Sequence, residues 1–172
     1  NIVEGNTYYY RVDAEKMGLY IPGYEIQYAS VLPSFVYAAL YSGVVRKIDP
    51  DGNEVWTFTG HTDRVRGIAV DSNGNVYSGS VDQTVKKIDS SGNEVWSFTG
   101  HTSYIQSVAV DSNGNVYSVA GDQTVKKIDS SGNEVWSFSG HTSRVECVAV
   151  DSSGNVYSGS GDNTVRKIDS SG

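Results

Sequence analysis

Three observations predict an all-β repeat fold. The chain repeats itself every 40 residues: Gly60-His61, Gly100-His101 and Gly140-His141 recur at that spacing, and so do Trp56, Trp96 and Trp136. Each unit holds four short runs rich in Val, Ile, Tyr and Phe between Gly/Asn/Asp/Ser clusters, the pattern of antiparallel hairpins. No stretch carries helical periodicity. A 40-residue period with four strands per unit predicts β-propeller blades, and about four are present.

The first full unit sets the order of elements. VRGIAV (65–70) is an apolar, alternating inner strand, and DSNGN (71–75) is a turn cluster. VYSGS (76–80) is the second strand, VDQT (81–84) a tight connection and VKKID (85–89) the third strand. SSGN (90–93) turns into EVWSF (94–98), the fourth strand, and TGHT leads into the next unit. The segment 35–61 aligns without gaps onto 75–101, so a degenerate unit precedes, with YEIQYAS (24–30) as its expected inner strand. The expected blades are about 24–59, 60–99, 100–139 and 140–172. The last stops before its fourth strand. Residues 1–23 read as a Tyr-rich segment, either an outer strand or the end of a preceding domain. Eight of the twelve tyrosines lie in the first 41 residues, so composition shifts there.

Composition excludes several functions. With 13 Lys+Arg against 20 Asp+Glu the net charge is -7, which argues against nucleic acid and anionic membrane surfaces. No run of 18 apolar residues and no signal peptide is visible, so no membrane insertion is expected. Cys147 is the single cysteine, which precludes an internal disulfide. Asn1 stands first, so the chain reads as processed or cut from something longer.

The order Gly-His, strand, DSNGN, VYSGS, Asp, TVKKID resembles the WD-repeat propellers over roughly residues 24–172. In that family a His, a Ser, an Asp and a Trp form a hydrogen-bonded network. The resemblance implies one set at His61, Ser78 and Asp82, a second at His101, Ser118 and Asp122, and a third at His141, Ser158 and Asp162. The Trp of the WD dipeptide is replaced by Ile48, Ile88, Ile128 and Ile168. Trp instead recurs in GNEVW, a placement similar to the docking motif of quinoprotein-type propellers. GIAVDSNGNVYSGS is similar to NHL-type repeats. In the degenerate unit Ile21, Ala38 and Ser42 stand at the three polar positions, so the members vary together, as a network that must be complete or absent requires. Thr7, Tyr9, Arg11-Val12 and Ala14 resemble a late strand of a fibronectin type III domain.

Catalysis finds no support in these sequences. A nucleophile, base and orienter converge at one place, whereas here every polar residue recurs once per blade. The histidines lack any second ligand at metal spacing. DSNGN lacks the Gly and Glu of a calcium loop and reads as a turn. The expectation is therefore no enzyme, no metal and no cofactor. Lys47, Lys87, Lys127 and Lys167 form a basic ladder that reads as a solvated face, and Cys147 reads as a packed inner-strand position.

The units at 60–99 and 100–139 match at 30 of 40 positions, and their differences cluster. Six lie in 63–68 against 103–108, three in 79–81 against 119–121, and one at Ser139 against Thr99. In WD-repeat propellers the corresponding positions face the top surface and contact partners. The resemblance places a partner face at Arg64, Arg66 and Val81, at Tyr104, Gln106 and Gly121, and at Arg144, Glu146 and Gly161. Arg and Tyr are common interface anchors. The expected function is a non-catalytic scaffold that binds a protein or glycan there. The alternatives are a structural part of an extracellular or virion assembly, such as a phage tail or surface fibre, and a quinone-dependent enzyme. An unclosed ring leaves open edges. They close through 7–12 acting as the last blade's fourth strand, through other chains, or through further blades.

Overall fold

The computed structural model describes residues 7–9 and 35–172. These form β1 (Thr7–Tyr9), β2 (Val36–Leu40), β3 (Val45–Ile48), β4 (Glu54–Phe58), β5 (Val65–Val70), β6 (Val76–Ser80), β7 (Val85–Ile88), β8 (Glu94–Phe98), β9 (Ile105–Val110), β10 (Val116–Ala120), β11 (Val125–Ile128), β12 (Glu134–Phe138), β13 (Val145–Val150), β14 (Val156–Ser160) and β15 (Val165–Ile168). They make four antiparallel sheets in meander order, β1–β4, β5–β8, β9–β12 and β13–β15. The described chain is an incomplete β-propeller of about four blades, with no helix among the described residues.

The first blade differs from expectation. Thr7–Tyr9 pair with Val36–Leu40, in the inner place that β5 takes beside β6. Backbone pairing there satisfies an edge that β2 would otherwise leave open. The segment is therefore neither an outer strand nor the fourth strand of the last blade. The expected inner strand at 24–30, Ile21 and the remainder of 1–14 lie outside the described residues.

The hairpin turns are built from Asp. In DSNGN the Asp71 carboxylate accepts the backbone N–H of Asn73 and Asn75 at 2.9 Å each, and the Tyr77 hydroxyl donates to its other oxygen at 3.1 Å. Gly74 closes the turn at φ +79°, a value side-chain-bearing residues avoid. Hydrogen bonds from Asn75 and the turn amides outweigh burial and hold the Asp71 carboxyl below its usual range. The same turn recurs at Asp111 and Asp151.

Strand alternation gives each sheet two faces. One carries Val76, Ser78 and Ile88 and meets the preceding blade; the other carries Tyr77, Gly79 and Val85 and meets the following one. The core is consequently three separate layers between consecutive blades. The middle layer joins Tyr77, Val85 and Phe98 to Ile105, Val108, Val116 and Ile128. β5 packs on β9, and β9 on β13. Buried aliphatic side chains such as these contribute about 1.5–3 kcal/mol each.

Polar contacts also tie consecutive blades. The indole N–H groups of Trp56 and Trp96 donate to the carbonyls of Ser90 and Ser130, both at 3.1 Å. Gly92, at φ +93°, lies so close beneath Trp56 that a Cβ would come within 2.9 Å of the ring. The recurrent Trp is thus a docking residue between blades. The lysine ladder is solvated only in part: Lys167 is exposed and Lys87 and Lys127 are half-buried. Lys47, Lys87 and Lys127 reach across to Ser90, Ser130 and Ser170 carbonyls at 3.3, 3.4 and 3.5 Å, and Lys47 is buried. Long alkyl stems lie along the blade boundary while the ammonium finds a carbonyl.

The last blade has its outward face open. Tyr157 is 38% exposed and Val165 78%, whereas Tyr77, Tyr117, Val85 and Val125 are fully buried. Cys147 is exposed too, contrary to the packed position expected for it, because no described residue covers this face. Arg166 stands where Lys86 and Lys126 pair with Glu94 and Glu134 of their fourth strands. In the three-stranded sheet its buried Nε has no partner among the described residues.

Candidate functional site

Two sets of polar residues recur at the end of the blades where each unit begins. The first is buried. His61 Nδ1 lies 2.8 Å from an Asp82 carboxylate oxygen, and Nε2 lies 2.8 Å from Ser78 Oγ. A carboxylate only accepts, so Nδ1–H donates to Asp82; in the neutral ring Nε2 then accepts from the Ser78 hydroxyl. Burial pulls the His61 pKa down, against the opposing pull of Asp82, which keeps this ring neutral. Burial opposes ionisation of Asp82 as well, but bonds from Thr84, His61 and the Thr62 N–H outweigh it and depress its pKa. The same geometry links His101 to Asp122 at 2.9 Å and Ser118 at 2.8 Å, and His141 to Asp162 at 2.8 Å and Ser158 at 2.9 Å.

Each tie stays within its own blade and fastens the entering loop to strands two and three. Thr84, Thr124 and Thr164, absent from the sequence reading, complete it: their hydroxyls donate to the Asp at 2.7, 2.7 and 2.6 Å. The recurrent D-x-T spacing was the available signal. Phe58, Phe98 and Phe138 stand edge-on to the three histidines, each at 6.2 Å between centroids. Gly60, Gly100 and Gly140 carry no Cβ where these rings pass.

The second set is open. Arg64, Arg66, Tyr104, Gln106, Arg144 and Glu146 line one groove of about 430 Å³ together with Tyr41 and Val65. Its floor is a ladder across three blades. Arg66 donates to Gln106 Oε1, and Gln106 Nε2 donates to Glu146 Oε2 at 2.7 Å. Arg144 Nε pairs with Glu146, which raises the Arg144 pKa further. Arg66 lies over the Tyr104 ring at 5.3 Å and Arg64 over the Tyr41 ring at 5.1 Å. Both guanidiniums lie within cation–π reach of a ring, Arg66 donates to Gln106, and Arg64 Nε lies 3.7 Å from the exposed Asp63 carboxylate.

Val81, Gly121 and Gly161 do not line the groove. Their N–H groups bond the carbonyls of Arg64, Tyr104 and Arg144 at 2.8, 3.0 and 3.0 Å, so they position the groove residues from behind. Tyr41, which the sequence reading left out of the site, occupies the same repeat position as Val81. Its spacing of 40 residues from Val81 marked it, but divergence of the first unit hid the match.

The family model described as outer membrane protein assembly factor BamB matches residues 41–172, and the chain belongs to that family of repeat propellers. The match supports a propeller-type repeat and does not single out the WD family. A search of curated proteins returns no match.

Proposed function

We propose that this protein is a non-catalytic propeller scaffold that holds a polypeptide partner in the groove by its carboxylates. One observation carries the reading. In a chain of net charge -7, three guanidiniums and two tyrosine rings converge where otherwise near-identical units differ. Arg takes carboxylates bidentately, and Tyr adds contact area at low entropic cost. The use of this face follows by analogy the top-face contacts of WD-repeat propellers. The matching family's description refers to outer membrane protein assembly, which favours a polypeptide over a glycan. The Ser–His–Asp sets support the scaffold rather than an enzyme, because each member is already committed within a buried tie.

The test titrates a labelled Glu/Asp-rich peptide, a Lys-rich peptide and a sialylated oligosaccharide into the chain and into the triple variant Arg64→Ala/Tyr104→Ala/Arg144→Ala. The acidic peptide should bind in preference. The variant should lose at least about tenfold in affinity, roughly 1.4 kcal/mol, with the melting temperature unchanged. Equal binding by wild type and variant would remove the groove from the account, and tighter binding of the oligosaccharide would replace the partner class.

A further inference from the structure

The groove floor is built on a repeated backbone irregularity. β5 pairs with β6 through a register shift between Val65 and Gly67, which leaves Arg66 as the extra, unpaired residue of a β-bulge. β9 skips Gln106 in the same way against β10, and β13 skips Glu146 against β14. A bulge takes a side chain out of strand alternation and re-aims it. Three consecutive blades thus turn one side chain each into the groove, and these are a cation, a neutral amide and an anion.

Their contacts fix an order. A guanidinium only donates and a carboxylate only accepts, so the Gln106 amide oxygen faces Arg66 and its NH2 group faces Glu146, at 2.7 Å. The other carboxylate oxygen of Glu146 takes Nε of Arg144. Arg64 Nε lies 3.7 Å from the Asp63 carboxylate. Two of the three guanidiniums therefore stand beside a carboxylate of this chain. The partner of Arg66 is an uncharged amide, with no carboxylate in ion-pair reach among the described residues. Arg66 is half-buried, 5.3 Å from the centre of the Tyr104 ring, and a partly desolvated cation attracts a carboxylate more strongly than an exposed one.

We infer that Glu146 sets the specificity of the groove, an inference that rests on the carboxylate-binding role proposed above. Arg66 takes one carboxylate, while Glu146 occupies Arg144 and repels a second. The preferred partner is a segment that couples one acidic residue to one basic residue, not a run of acids. Glu146 offers the basic residue its remaining lone pairs. The net charge of -7 acts in the same direction, because its field opposes the approach of a polyacidic chain.

The test uses labelled Gly/Ser peptides of equal length that carry Asp and Asp, Asp and Lys, or Lys and Lys at the same two positions. They are titrated into the 172-residue chain, into Glu146→Gln, into Arg66→Gln and into the triple variant Arg64→Ala/Tyr104→Ala/Arg144→Ala. The wild type should hold the Asp/Lys peptide tighter than the Asp/Asp peptide by about threefold or more. Glu146→Gln should reverse that order, because Arg144 becomes available to the second Asp. Arg66→Gln should weaken both Asp-bearing peptides by about tenfold. Tighter binding of Asp/Asp than of Asp/Lys by the wild type would overturn the inference without recourse to any variant. An order unmoved by Glu146→Gln, or an equal loss for all three peptides, would also overturn it and reduce Glu146 to a brace for Arg144. Those results leave the groove in place so long as the triple variant loses binding. Wild-type affinity in the triple variant would instead remove the groove itself, and the inference with it.

Discussion

The third and fourth blades carry nearly the same sequence in two different settings. Tyr117 and Val125 are fully buried, whereas Tyr157 and Val165 are 38% and 78% exposed. Yet His101 and His141 sit in ties of nearly equal length, both buried. Burial of the aromatic and aliphatic face therefore belongs to the boundary between neighbours, and the His–Asp–Ser–Thr tie belongs to the single blade. Repeat proteins divide their stability in that way, into intrinsic and nearest-neighbour parts.

Paired substitutions sharpen this contrast. The largest difference is expected for Tyr117→Ala against Tyr157→Ala. The first empties a sealed layer and should cost about 3–5 kcal/mol by denaturant unfolding, the range of large aromatic truncations, and the second under ~1.5 kcal/mol. Val125→Ala should cost about 2 kcal/mol and Val165→Ala close to nothing. Similar losses within either pair would mean that the last blade is covered as the third is.

The tie should behave in the opposite way. Asp122→Ala and Asp162→Ala each orphan a buried imidazole N–H, at about 1–3 kcal/mol, and the two losses should agree. A loss confined to Asp122 would show that the tie depends on a neighbouring blade after all.

Acid should weaken the fold in two stages. His61 has a folded pKa below its unfolded value, so the unfolded chain binds more protons as pH falls below about 6.5, and stability drops from there. Asp82, Asp122 and Asp162 are depressed below the carboxylate range, so their contribution, present above about pH 4, is lost as pH falls further. Both stages have the same sign. Melting temperature against pH checks them, and His61→Gln should flatten the first and, by removing one bond that depresses Asp82, shrink that residue's share of the second.

Much of this was readable from residues alone. Strand and turn positions from 65 to 168 follow from alternation and from Asp/Asn/Gly clusters, because each turn is closed by its own Asp carboxylate. The ties were readable through recurrent His, Ser and Asp. Three features were not. The place of Thr7–Tyr9 depends on a pairing across more than two dozen residues that no local pattern encodes. The lysine ladder looked wholly solvated because its acceptors are backbone carbonyls of the next blade, which sequence does not display. Exposure of Cys147 depends on what covers a face, not on the strand that carries it.

The groove is the claim on which the functional account rests. Amide shifts on adding the Glu/Asp-rich peptide to isotopically labelled chain test it most directly. The account predicts perturbations at 64–66, 104–106 and 144–146, with the turns at 111–115 and 151–155 at the opposite end of the blades unmoved. Perturbations centred on those turns or on the open face of the last blade, with none in the groove, would contradict it.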